Sequence, residues 1–276
     1  MELDGLYAYT GGKHFDAARP CIVFLHGAQH DHSVWILQSR WFAHHGYAVL
    51  ALDLPGHGRS AGTPLGTVVE AIADRLAAAL GTLASPRFVL VGHSMGSLIA
   101  LDLAQRLGER VAGVVLLGSA FPMQVSDALL TATRDDPASA MQMINVWSHS
   151  ASIAPFGARP SNPGPGFSIV WQNLRLMERI ARVNGPQVLA TDFAACNAYA
   201  GGLEAARALA CPALFISGAA DQMTPPRAAK ALIDACVDKE AVVLPATGHA
   251  LMAENPEGVR RALAAFAQRC AAGLAA

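Results

Sequence analysis

Two textures of apolar and polar positions alternate along the chain. Short aliphatic runs, Cys21–Leu25, Ala48–Asp53, Phe88–Gly92, Val111–Leu117, Ala213–Ser217 and Ala241–Leu244, are apolar almost throughout rather than at every second place. That continuity predicts parallel strands covered on both faces. Between them lie amphipathic stretches: Ser33–His45, Thr67–Leu83, Met95–Leu107, Pro225–Ala235 and Pro256–Cys270. Their spacing predicts helices, and the prolines at 225, 226 and 256 suit helix starts. Strand and helix in alternation predict an α/β fold, with a mostly parallel central sheet and helices on both faces.

The alternation breaks once. Between Ser119 and Ala213 the sequence loses strand character, and Asp127–Ser150 and Ser168–Asn197 read as helical. They are separated by Ser152–Gly166, a Pro/Gly/Ser-rich stretch that cannot continue a helix and reads as the most mobile part of the insertion. A helical insertion between two sheet strands is expected over the strands' carboxyl ends, where open α/β sheets bind ligands. The expected division is a core of residues 1–120 and 201–276 and a helical cap of residues 121–200.

The 276 residues are 53% hydrophobic and 15% charged, with a formal net charge of −1. That is enough apolar material for a sizeable core, and it excludes disorder. Near-neutral charge leaves no electrostatic footprint for nucleic acid or an anionic membrane. No apolar run reaches membrane-spanning length, and the acidic start does not read as a signal peptide. Cys21, Cys196, Cys211, Cys236 and Cys270 are scattered and odd in number, which predicts buried thiols in a reducing, cytoplasmic setting.

Chemistry concentrates at Gly92-His93-Ser94-Met95-Gly96, between the strand pattern RFVLV and the helix pattern SLIALDLAQRL. Strand, sharp turn and helix around G-x-S-x-G expose one serine at a helix N-terminus, where developing negative charge is favoured. A serine hydroxyl needs a base, itself oriented by an acid. His249, just past the last predicted strand, is the expected base, and Asp221, past the preceding strand, the expected acid. Asp221 is alternatively a cap for the helix opening near Pro225. The stretch Gly118-Ser119-Ala120-Phe121, where some hydrolases carry the acid, has no carboxylate. Acyl transfer also needs two donors for the oxyanion. The backbone N–H of Met95 is one, and that of Ala28, just past His26-Gly27, is the other. His26, His30, Asp31 and His32 are dense enough to suggest a metal. Their spacing fits neither H-x-H-x-D-H nor H-E-x-x-H, so loop hydrogen bonding is expected, with no metal and no cofactor.

LHGA, DLPGHGRS (Asp53–Ser60), VGHSMGS, SGAADQMTP and ATGH, in that order over about residues 20–270, resemble the α/β-hydrolase superfamily in its lid-bearing branch of esterases and lipases. The resemblance implies a Ser94–His249–Asp221 triad beneath a helical cap inserted after the sixth strand, with Asp53–Ser60 a structural loop. Two departures stand out. About 20 residues precede the Cys21 strand, fewer than a full eight-stranded sheet usually has, so the opening strands are expected to be short or missing. The oxyanion loop reads HGAQHDH rather than HGGG. The expected activity is hydrolysis of a small carboxylic ester with a neutral, short to medium acyl chain, by a monomer or homodimer. Phe121, Trp147 and Trp171 of the insertion are the candidate substrate contacts. Carbon–carbon hydrolysis, amide hydrolysis and perhydrolysis are rival chemistries on the same triad. A non-catalytic ligand-binding homologue is the rival from another class.

Overall fold

The computed structural model describes residues 1–60, 68–85, 87–151 and 165–272. Its sheet has eight strands in the order β1-β2-β4-β3-β5-β6-β7-β8. They are β1 Glu2–Leu3, β2 Leu6–Tyr9, β3 Cys21–Leu25, β4 Ala48–Leu52, β5 Phe88–His93, β6 Val111–Leu117, β7 Ala213–Gly218 and β8 Lys239–Leu244. From β3 to β8 every pairing is parallel, while β1 and β2 pair antiparallel at one edge. The opening strands are thus present but short. Strand β8 begins two residues before its apolar run, because Lys239 and Glu240 sit at an exposed sheet edge where polar side chains reach water.

The apolar runs are unbroken because alternate residues feed two different cores. Cys21, Val23 and Leu25 of β3 face one apolar layer, and Ile22 and Phe24 face the other. Helices α2 (Val69–Gly81) and α3 (Met95–Leu107) cover the first layer, together with α8 (Gly202–Arg207) and α9 (Lys230–Ala235). Helices α1 (Ile36–His44), α10 (Leu251–Glu254) and α11 (Pro256–Ala272) cover the second. Full burial of a Phe or Leu side chain is worth about 1.5–3 kcal/mol, so each central strand anchors both layers.

Of the five helices described between β6 and β7, the first four build a third, smaller apolar cluster, while α8 belongs to the first layer. The four are α4 (Asp127–Asp135), α5 (Pro137–Trp147), α6 (Pro165–Asn184) and α7 (Val188–Ala198). Leu129, Met141, Ile144, Met177, Leu189 and Phe193 form its centre. Each helical stretch expected here is divided in two. Asp136 ends α4 and caps α5, accepting from Ser139 N at 3.1 Å, and Pro137 starts the new helix without needing an N–H partner. Gly185, at φ 109°, ends α6 in a backbone conformation that suits glycine. Most of Ser152–Gly166 lies outside the described residues. Among the described residues no helix is long and apolar enough to cross a membrane.

Candidate active site

Strands β3 and β5 are neighbours, with Leu25 level with Gly92, although their helices pack on opposite faces. This is the point where the sheet's winding reverses, and open α/β sheets form their clefts there. The loop leaving β5 turns at once into α3, with Ser94 at φ 53°. That conformation costs a non-glycine residue about 1–3 kcal/mol and is held by crowding on both sides. A Cβ on Gly92 would lie 2.0 Å from the Gly96 carbonyl oxygen, and one on Gly96 only 2.5 Å from the carbonyl oxygens of Leu25 and His26. Ser94 N donates to Leu117 O on β6 at 2.9 Å, and the Ser97 hydroxyl donates to Ser94 O at 2.6 Å. The spacing of the pentapeptide is therefore a packing requirement, and it projects Ser94 from the carboxyl rim of the sheet.

On the same rim, Asp221 follows β7 and His249 follows β8. His249 Nδ1 donates to Asp221 Oδ2 at 2.8 Å, which leaves Nε2 as the ring's lone-pair nitrogen. Asp221 also accepts from Met223 N and Thr224 N, each at 2.8 Å, and from the Thr224 hydroxyl at 2.8 Å. Orienting the histidine and capping the following turn are thus both done by Asp221. Burial raises the proton affinity of this carboxyl, but His249 and the donors from Thr224 outweigh it and hold Asp221 below the usual carboxylate range. The histidine loop is fixed from behind. His93 Nε2 donates to His249 O at 2.9 Å, and its ring, kept neutral by burial, stacks obliquely on His249 with centroids 4.8 Å apart.

The loop after β3 brings Ala28 beside Ser94. Gly27 permits the approach, since a Cβ there would lie 3.2 Å from Ser94 Cβ. Met95 opens α3, so its N–H has no partner within the helix. The loop itself is braced by long-range contacts. Gln29, at φ 57°, donates from its backbone N to Asp192 Oδ2 at 2.8 Å and from its side chain to Met177 O at 3.0 Å. His30 Nε2 meets Asn173 Oδ1 at 2.9 Å, and Asn173 in turn donates to Asn145 Oδ1 at 2.8 Å. Asp31 is paired with Arg179. His57, within the Asp53–Ser60 loop, contacts the same Asp192 oxygen through Nε2 at 2.9 Å. Helices α5, α6 and α7 are thereby sewn to the loop after β3.

The dense histidine cluster has separate structural duties. His26 accepts from Leu54 N at 3.0 Å through Nε2 and contacts Gly27 O at 2.8 Å through Nδ1, and burial keeps it uncharged. His32 binds Asp53 Oδ1 through its backbone N at 2.8 Å and its ring at 2.6 Å. Asp31, His32 and Asp53 place ligand-type atoms within 4.8 Å of one another. Every carboxylate oxygen among them already accepts from Ser33, Arg179, His32 or Arg59. This is the pattern of a loop brace.

Ala28, Ser94 and His249 line one cavity of about 190 Å³ together with Leu129, Trp147, Phe193 and Met223. A second cavity, about 380 Å³, shares His249 and is lined by His30, Ser33, Asn173, Leu37 and Met252, among others. Trp147 thus stands at the first cavity. Phe121 packs elsewhere, its ring edge-on to Tyr199 and against Gly202, because it enters the core layer under α8. Trp171 is 49% exposed, with the Arg175 guanidinium 5.3 Å above its ring and Arg175 paired with Glu178 at 2.6 Å. Neither Phe121 nor Trp171 lines the described part of either cavity. The sequence signals missed Asp192, His57 and Gln29 because no local pattern marks a partner more than a hundred residues away.

Comparison with known proteins places the geometry in context. A putative non-heme haloperoxidase of Mycobacterium phage D29 is 37% identical over 99 residues, 36% of this chain and 36% of that protein. The chain spans less than two thirds of the length of the curated relatives it matches. Among solved structures, a thermophilic esterase from Thermogutta terrifontis superposes with a TM-score of 0.79 at 22% identity, over 96% of this chain and 93% of that one. A bromoperoxidase from Bacillus anthracis superposes with a TM-score of 0.80 at 19% identity, over 95% of this chain and 99% of that one. Residues 22–262 match the model of the alpha/beta hydrolase family, a span running from the first parallel strand into the last helix and enclosing the elbow, the acid and the histidine. With its eight-stranded sheet and serine elbow at the winding reversal, the chain belongs to the alpha/beta hydrolase family.

Proposed function

We propose that the protein is a serine hydrolase of carboxylic esters, working through an acyl-enzyme. One observation carries this reading: Ser94 and His249 face a common cavity, and His249 Nδ1 is held by Asp221 at 2.8 Å so that Nε2 is free to act as base. His249 takes the proton of the Ser94 hydroxyl as Ser94 attacks the ester carbonyl, and the oxyanion rests on the N–H groups of Ala28 and Met95. The alcohol departs with the proton carried by His249, and water repeats the sequence on the acyl group. An oxyanion donor is worth about 10²–10³ in rate, and base with orienter more, so the parts are collectively sufficient for catalysis.

The cavities support a substrate class. The one touching Ser94 is lined mainly by apolar side chains, with neutral polar Gln124, Ser126, Gln222 and Thr224, and has no Asp, Glu, Lys or Arg among its described lining residues. Its 190 Å³ falls below the roughly 300–1,000 Å³ of pockets for drug-sized ligands. It suits a neutral acyl group of short to medium length. The leaving alcohol belongs in the larger cavity, because His249, shared by both, is the group that must protonate it. In this reading residues 121–200 act as a cap that supplies acyl-pocket walls, Trp147 and Phe193 among them. The test is a series of p-nitrophenyl esters from acetate to palmitate, beside an anilide and a dienoate carbon–carbon-cleavage substrate. Highest kcat/KM at butyrate or hexanoate supports the reading, and preference for the dienoate or the palmitate rejects it.

A further inference from the structure

His57 and Asp192 lie 135 positions apart and meet where the loop after β4 touches α7. Both are buried, at 3% and 4% exposure, and Gln29 beside them is fully buried. The hydrogen bonds define a proton count. His57 Nδ1 faces Pro55 O at 3.0 Å, and a carbonyl can only accept, so Nδ1 carries a hydrogen. Nε2 faces Asp192 Oδ2 at 2.9 Å, and that same oxygen accepts from Gln29 N at 2.8 Å. An oxygen already taking a backbone N–H is best matched by a second donor, which makes the ring doubly protonated and the carboxyl ionised.

We propose that His57 and Asp192 are positioning residues: a buried imidazolium–carboxylate pair that locks Gln29 in its left-handed conformation and so holds the neighbouring Ala28 N–H toward the oxyanion. This rests on the reading of Ala28 as an oxyanion donor. Gln29 adopts φ 57° immediately after Ala28, and its backbone N is tied to nothing nearer in sequence than Asp192. If the carboxylate moves, the peptide after Ala28 is released and the donor turns away from Ser94.

The charged groups around the ring agree. Burial opposes the charged ring most strongly, but Asp192, the Pro55 carbonyl and Asp53 on its own loop outweigh it, so His57 holds its proton above the ordinary histidine range. From the loop after β3, His26 stands edge-on at 4.9 Å and His30 lies further off; burial keeps both rings largely neutral, so they add little repulsion. From α7 the neighbouring Cys196 thiol is pushed far above its usual range by burial and by Asp192, and so carries no charge. The sign follows. A raised histidine value makes the pair complete below pH about 6.5 and lost as pH rises through the elevated value. Loss of that proton sets two lone pairs against each other and should appear as an alkaline limb in kcat.

The experiment combines imidazole ¹⁵N NMR of the wild-type protein with kcat and KM profiles on p-nitrophenyl butyrate for wild type, Asp192→Asn and Asp192→Ala. Fluorophosphonate labelling rates at Ser94 accompany them. The expected spectrum shows both His57 nitrogens protonated at pH 7. Asp192→Ala should lower kcat about 30- to 100-fold, within the span of losing one oxyanion donor, with KM changed less than about threefold. Asp192→Asn can still accept from Gln29 N, so it should recover most of the rate but lose the alkaline limb. A neutral His57 at pH 7 overturns the proposal, whatever the folding of the variants. An alkaline limb unchanged in Asp192→Asn also overturns it. If the wild type hydrolyses no ester while Ser94 labelling still slows in Asp192→Ala, the ester reading fails and the positioning pair stands.

Discussion

Ser94 and Gln29 are both non-glycine residues with positive φ, at 53° and 57°, in the loops that leave the neighbouring strands β5 and β3, yet their backbones are held by different means. Around Ser94 the restraint is main-chain crowding: Gly92, Gly96 and the ends of β3 and β5 interlock at distances no Cβ would tolerate. Around Gln29 the restraint is polar and distant, from Asp192 and Met177 at separations of 163 and 148 residues. A backbone fixed by sterics is indifferent to pH, and one fixed by a carboxylate and an imidazole is not. The Ser94 side of the site is therefore fixed by main-chain packing, and the Gln29 side is conditional on the helices packed above it.

Substitutions on the two sides should separate these mechanisms. The largest effect is expected at the orienting acid. Asp221→Asn keeps an acceptor for Met223 N and Thr224 N but turns His249 to the wrong tautomer, costing up to about 10⁴ in kcat with the fold intact. Circular dichroism with steady-state kinetics would check it, and near-full activity would assign the orienting role to another carboxylate. Next is the crowded side. Gly96→Ala places a Cβ 2.5 Å from two carbonyl oxygens that belong to a buried strand end, so the backbone must shift. The expected cost is about 3–5 kcal/mol of stability, seen as a lower denaturation midpoint; a loss under 1 kcal/mol would show that crowding does not hold the elbow.

Smaller effects are expected in the helices above. Trp147→Ala should reorder acyl-chain preference, raising longer esters relative to acetate by about 10-fold, since pocket-wall changes are worth about 1–3 kcal/mol. Trp171→Ala, at an exposed position with its ring under Arg175, should change stability by less than about 0.5 kcal/mol and leave the ranking as it is. Equal behaviour of the two tryptophans would erase the distinction drawn between them.

The same contrast explains what was legible in the sequence. Strands β3 to β7 can be located because burial on both faces leaves an unbroken apolar record, whereas the edge strand β8 shows the apolar run Ala241–Leu244 although only Leu244 of it is buried; the Val111–Leu117 strand and the Met95–Leu107 helix have the expected ends. The elbow could be read because its sterics are local and leave glycines at fixed spacing. Asp221 and His249 could be read because each follows a strand end. The breaks at Asp136 and Gly185 are not legible in the apolar pattern, since apolar spacing resumes on either side of a cap and hides it. Phe121 and Trp171 are expected as substrate contacts from aromatic type and a place in the insertion, and neither signal tells which way a side chain faces. His57 was visible only as part of a loop, because its partner Asp192 arrives from a different element.

The central claim, that Ser94 attacks and holds the acyl group, is tested most directly by acid-quenching the enzyme during turnover of p-nitrophenyl butyrate and mapping the adduct by mass spectrometry. The expected result is a single butyryl group on Ser94, in the peptide containing GHSMG, in wild type quenched during turnover, formed far more slowly in His249→Ala, which lacks the base for acylation, and absent from Ser94→Ala. Turnover with the acyl group on any other residue, or undiminished hydrolysis by Ser94→Ala, would contradict it.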